Sequence, residues 1–113
     1  MSNEPRPDEF DTGLRSIWQR RSAEVISDVD DLLVAVEDPQ SVDPNSATWN
    51  TAKFKAHQLI GIVGIMQFDE CVQLFRELNL LMDVDQDASI APSRRAEMSV
   101  IIKRIRTDLA ARS

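Results

Sequence analysis

The chain has 113 residues, with 13 Lys or Arg against 19 Asp or Glu and a net charge of −6; this is the length of one ordinary domain with a single core, leaving no room for a second. An acidic balance, with a pI near 4.7, argues against nucleic acid and against an anionic membrane surface as partners, since both call for a basic face. One cysteine, Cys71, and one histidine, His57, exclude an internal disulfide framework and a cysteine-only zinc site, make a poor metal set, and leave a reducing, cytoplasmic compartment as the natural reading.

No charged-then-apolar leader opens the sequence and no apolar run approaches about 18 residues, so neither export nor a membrane span is expected. Residues 1–9, MSNEPRPDE, carry two prolines, several charges and a single apolar residue, the composition of a disordered or loosely attached tail. Order is expected to begin near Phe10, giving a domain over residues 10–113. From Leu14 the residues Ile17, Trp18, Val25, Val29, Leu32, Leu33 and Val36 recur at helical spacing with no proline before Pro39, which predicts one long helix with a possible irregularity at Arg20 to Ser22. The run from Glu37 to Asn45 holds Pro39 and Pro44 among turn formers and reads as a connection, with Asn45 or Ser46 able to cap the next helix.

A second helix is predicted from about Ala47 to Met66, with Gln67 and Phe68 at its end. Asp69 then reads as an N-cap, because Cys71, Leu74, Phe75, Leu78, Leu81 and Met82 succeed it at helical spacing, and a short turn makes the two helices antiparallel neighbours. The stretch Asp83 to Asp87 begins like a calcium loop, but Ala88 stands where the glycine is required and Arg94 where the bidentate glutamate belongs, so a solvated loop is expected. Pro92 fits the first turn of a last helix whose Met98, Ile101, Ile102, Ile105 and Leu109 form an apolar stripe, with Lys103, Arg104, Arg106 and Arg112 toward the negative end of its dipole. Four helices and no credible strand predict an all-α, antiparallel four-helix bundle. Trp18 and Trp49 are expected in its core, and Cys71 as a small buried residue rather than a nucleophile.

The chemistry-bearing stretch is Ala56 to Gly64, AHQLIGIVG. At about 100° per residue, Lys53, Gly61 and Gly64 fall within roughly 40° of His57, with Phe54 and Ile60 roughly 60° to either side. Ala52, Ala56, Leu59, Val63 and Met66 gather on the opposite face, the stripe such a helix buries. His57 is therefore expected to point outward. Two glycines on that face each cost roughly 1 kcal/mol against alanine; they either let another molecule approach beside the imidazole or admit a neighbouring helix of the same chain.

Ala56, His57, Leu59, Gly61 and Gly64, on the second helix of a four-helix bundle, resemble the Ala-His-x-Leu-Lys-Gly hallmark of the histidine-containing phosphotransfer (HPt) domains of phosphorelays, and the resemblance extends over roughly residues 14 to 109. It implies that His57 takes a phosphoryl group from a receiver-domain aspartate and passes it to another receiver, the partners being receiver domains of response regulators or hybrid histidine kinases. It implies no cofactor or metal of the chain's own, Mg²⁺ being brought by the receiver, and a phosphoryl carrier rather than a free-standing kinase. A neutral imidazole has the nitrogen lone pair that such acceptance needs. Two positions depart from the family: its usual lysine three residues after the histidine is Ile60, and a glycine common near the helix end is Gln67. Lys53, one turn before His57 on the same face, and Lys55, projecting elsewhere, are the cations at hand.

The resemblance also makes Asn79 the candidate to orient the imidazole, a place often taken by glutamine in the family. It makes Phe54, Ile60, Gly61, Gly64 and Phe68 the docking surface for the receiver, the two phenylalanines being core residues if they turn inward. Such a bundle needs no second copy to complete its site, so a monomer is expected. Two other readings stand beside it: a degenerate HPt-like module that docks receivers or a kinase without carrying phosphate, and a helical adaptor unrelated to the family in which His57 is incidental.

Overall fold

The computed structural model describes residues 7–39, 43–83 and 89–112. Four helices account for nearly all of them: α1 over Pro7–Glu37, α2 over Ala47–Ile65, α3 over Asp69–Met82 and α4 over Pro92–Arg112. Each packs on its neighbours around a ring, α1 on α2, α2 on α3, α3 on α4 and α4 back on α1, as expected for the antiparallel bundle. Among the described residues there is no strand, and no helix is long and apolar enough to cross a membrane.

The core is the meeting of four stripes. Trp18, Val25, Val29, Leu32 and Val36 come from α1 and Trp49, Ala52, Ala56, Leu59 and Val63 from α2; Cys71, Phe75, Leu78 and Met82 come from α3 and Met98, Ile102, Ile105 and Leu109 from α4. Both tryptophans are buried, as their spacing predicted. The flanking apolar residues of the pattern, Leu14, Leu33, Leu74, Leu81 and Ile101, are half-buried against this core, and Ile17 lies out in solvent at 39 % exposure.

The helix ends correct several sequence expectations. α1 opens at Pro7 rather than near Phe10, a proline at the first helical position being compatible with a helix because its missing N–H would have no intrahelical partner there. Residues 1–6 of the expected tail lie outside the described residues, as do 84–88 of the acidic loop. No irregularity interrupts α1 at Arg20 to Ser22: Arg20 and Arg21 face solvent and the small side chain of Ser22 takes the core position between Trp18 and Val25. At the far end of α1 no basic residue stands in the last turn. Arg95 of α4 serves instead, its guanidinium donating to the carbonyls of Val36, Glu37 and Asp38 at 2.9 to 3.3 Å, the groups that a helix C-terminus leaves without internal partners.

Ser46 caps α2, its Oγ accepting from the Trp49 N–H at 3.1 Å. Its other end closes with the Gln67 N–H donating to the Gly64 carbonyl and the Phe68 N–H to the Val63 carbonyl, both at 3.1 Å, the paired bonds of a Schellman motif. That motif places Gln67 at φ 62°, the left-handed conformation that costs residues bearing a Cβ about 1–2 kcal/mol. Gln67→Gly is therefore expected to raise stability by about 1 kcal/mol, read as a higher urea midpoint. The turn is so short that Phe68, not Asp69, occupies the N-cap position of α3, without a side-chain cap; Asp69 and Glu70 are its first-turn residues, their charges facing the positive end of the dipole. In α4 only Arg112 lies in the last turn. Lys103 and Arg106 reach across to α1 instead, pairing with Glu37 at 3.8 Å and Asp30 at 2.7 Å.

Candidate functional site

His57 sits in the middle of α2 on the face turned from the core, where Ala56, Leu59 and Val63 are buried and His57 itself is exposed. Because α3 runs back along α2 after the tight turn, its flank faces the α2 surface that carries the imidazole. The two helices form a recess of about 420 Å³ lined by Lys53, Phe54 and His57 from α2, by Asn79 and Met82 from α3 and by Asp83 at the C-cap of α3. Four of the residues singled out from sequence, His57, Lys53, Asn79 and Phe54, thus share one concavity, Phe54 being 64 % exposed. Among the described residues, no side chain hydrogen-bonds or ion-pairs with the imidazole or with the Lys53 ammonium.

The glycines also lie on this surface. A Cβ built on Gly61 or on Gly64 meets nothing within 4 Å, so neither glycine is there to admit a helix of the same chain. A glycine in a helix interior with open space beside it is a cost without an internal benefit. Gly61→Ala and Gly64→Ala are each expected to stabilise the bundle by about 0.5–1 kcal/mol, measured by thermal or urea unfolding. Ile60 is half-buried, its side chain packed on the margin of the core. Lys55 points away, to α1, where its ammonium meets Asp28 at 3.3 Å and Asp31 at 3.5 Å.

Phe68 is not part of this arrangement. It lies eleven positions beyond His57, ~16 Å further along the helix direction. There it packs edge-on against Trp18, ring centroids 5.0 Å apart at 87°, under the Arg112 guanidinium at 4.4 Å. The Trp18 indole N–H in turn donates to the Arg112 carbonyl at 3.0 Å. Phe68 closes the end of the bundle rather than flanking the imidazole.

Cys71 is buried among the core residues, its thiol donating to Asp108 Oδ2 at 2.8 Å. Burial pushes this thiol up to about 12, and the hydrogen bond to Asp108 and the charge of that carboxylate act in the same direction. Burial also pushes Asp108 up, but hydrogen bonds from Arg112 and Cys71 outweigh it and hold the carboxyl below its ordinary value. The pair therefore stays as thiol and carboxylate at neutral pH, and Cys71 is no nucleophile. A larger groove of about 670 Å³ runs between α3 and α4 past Leu74, Val100 and Thr107, away from the imidazole. Among the described residues no three His, Cys, Asp or Glu side chains gather as a metal set.

Sequence reasoning missed Asp83 and Met82 in the recess. Asp83 comes one helical turn after Asn79, so once the resemblance had pointed to Asn79, helical spacing carried the signal for Asp83. Comparison with protein-family models, with curated proteins and with solved structures finds no match to this chain.

Proposed function

We propose that the chain is a histidine phosphotransfer protein of a two-component phosphorelay, accepting a phosphoryl group on His57 from a receiver-domain aspartate and passing it to another receiver. The observation that carries this reading is the exposed imidazole in a recess shared with Lys53 and Asn79, beside two glycines whose missing side chains leave open space. Phosphoryl transfer is largely positioning and charge neutralisation, so a small bundle suffices when the receiver brings Mg²⁺ and its own cationic groups. In this mechanism Asn79, which lines the same recess, closes on the ring when the receiver docks and orients it by accepting its N–H through the amide oxygen, leaving the lone pair of the other nitrogen free. The receiver docks over Phe54, Ile60, Gly61 and Gly64. The protein acts as a monomeric carrier in the cytoplasm, and the receiver belongs to a response regulator or a hybrid histidine kinase.

The test is incubation with a panel of phosphorylated receiver domains and Mg²⁺, and then intact mass and acid treatment. One acid-labile phosphoryl group per chain is expected. Docking should be sensitive to the glycines: Gly61→Ala or Gly64→Ala crowds the contact by a methyl group, at a cost of about 1–3 kcal/mol, so receiver affinity is expected to fall roughly tenfold while the bundle itself becomes more stable. A second reading, a module that docks receivers without carrying phosphate, is favoured by one observation, the half-buried apolar Ile60 in the place of the family's lysine. Receiver binding without any label would establish it in place of the first.

A further inference from the structure

A phosphoryl group on a nitrogen brings roughly two negative charges to a surface that must hold it. Charge of the right sign is scarce around His57. Gly61 and Gly64 carry no side chain, Phe54 and Met82 are apolar, and Ile60 is apolar and half-buried. Among the described residues that line the recess only Lys53 and Asp83 carry a full charge, and Asp83 has the wrong sign. The other lysine of this helix, Lys55, is held on the α1 side by Asp28 and Asp31.

Lys53 remains. It precedes His57 by one helical turn, which sets their Cβ atoms about 5–6 Å apart, and its flexible stem lets the ammonium move over the imidazole. It lines the same recess as His57 and enters no ion pair among the described residues, so recruiting it breaks no contact of the fold. We infer that Lys53 is the chain's own cation for the phosphoryl group on His57, and that Asp83 opposes it from the other wall of the recess; this rests on the reading of His57 as phosphoacceptor.

In the step itself an imidazole nitrogen uses its lone pair to form the P–N bond as the P–O bond of the donor's acyl phosphate breaks, that electron pair staying on the donor carboxylate. The proton of the remaining ring N–H then passes to solvent. Lys53 gives up no proton; it acts through its charge on the moving phosphoryl oxygens. Asp83 disfavours the same charge, so the recess holds the phosphoryl group loosely enough to hand it on.

The experiment is single-turnover phosphoryl uptake from a phosphorylated receiver domain with Mg²⁺, at saturating receiver, for the native chain, Lys53→Gln, Lys53→Gln with Ile60→Lys, and Asp83→Asn. Receiver affinity and circular dichroism are measured on each variant. Lys53→Gln is expected to slow uptake roughly tenfold or more, the lower end of what losing one charge-stabilising group costs. Lysine at position 60 is expected to restore most of the rate in that background, and Asp83→Asn to raise it. Uptake by Lys53→Gln at the native rate, or a defect confined to receiver affinity with the saturated rate unchanged, would overturn the inference while leaving His57 as acceptor. A native chain that takes no label would remove the phosphoacceptor reading itself, and this inference with it.

Discussion

His57→Gln is expected to abolish phosphoryl uptake completely while leaving the bundle and its docking to receivers intact. The expectation stems from where the side chain is placed. The imidazole is exposed and makes no hydrogen bond with any described residue, so its removal leaves no buried group without a partner, and the fold should keep its stability within about 0.5 kcal/mol. Glutamine is at least as good a helix former as histidine, and its amide fills much of the same space. What it lacks is a ring nitrogen with a lone pair free to attack phosphorus. The chain's one thiol does not take over, since it is buried and pushed up to about 12. The measurements are intact mass after incubation with phosphorylated receivers, the unfolding midpoint, and the affinity for an unphosphorylated receiver. Label on His57→Gln would place the acceptor elsewhere; loss of receiver binding together with label would make the imidazole a docking contact.

The separation of core and site along α2 was legible from residue spacing alone. Ala52, Ala56, Leu59 and Val63 recur on one face with His57 and the glycines opposite, and each lies where a helix of 3.6 residues per turn puts it. That α3 runs back beside α2 was legible from the short turn, but Asn79 as the residue across the recess from His57 came from the resemblance and not from spacing. Features that depend on atoms distant in sequence were not legible. Nothing local to Phe68 tells that it will lie between Trp18 and Arg112, and nothing local to Arg95 tells that it will cap a helix more than fifty residues earlier. Ser22 misled for a related reason: a polar residue after two arginines breaks the apolar rhythm, although its side chain is small enough to stand at a core position one turn after Trp18. Asp69 misled because its residue type suits an N-cap, whereas the left-handed Gln67 turns the chain one residue too soon for it to serve as one.

Phe75→Ala is expected to cost about 3–5 kcal/mol, the range for emptying a phenylalanine site in a core. Phe75 is completely buried and, with Trp49, is among the largest side chains wholly inside the bundle. Set against the roughly 5–15 kcal/mol by which a domain is stable, that loss should lower the melting temperature by more than about 10 °C. Leu80, five residues on in the same helix, is 75 % exposed, and Leu80→Ala should stay within about 0.5 kcal/mol. The contrast tests the rotation of α3, because a turn of the helix that buried Leu80 would reverse the order of the two effects, and would also swing Asn79 away from His57. Phosphoryl uptake sharpens the test. His57 belongs to α2 and faces away from the cavity that Phe75→Ala opens, so on the proposed role of His57 the variant should still accept phosphate below the lowered melting temperature, more slowly because a loosened α3 fixes Asn79 less firmly across the recess. Uptake lost outright in a variant that remains helical and cooperatively folded would mean that the site depends on the core far more tightly than two opposite faces of one helix require.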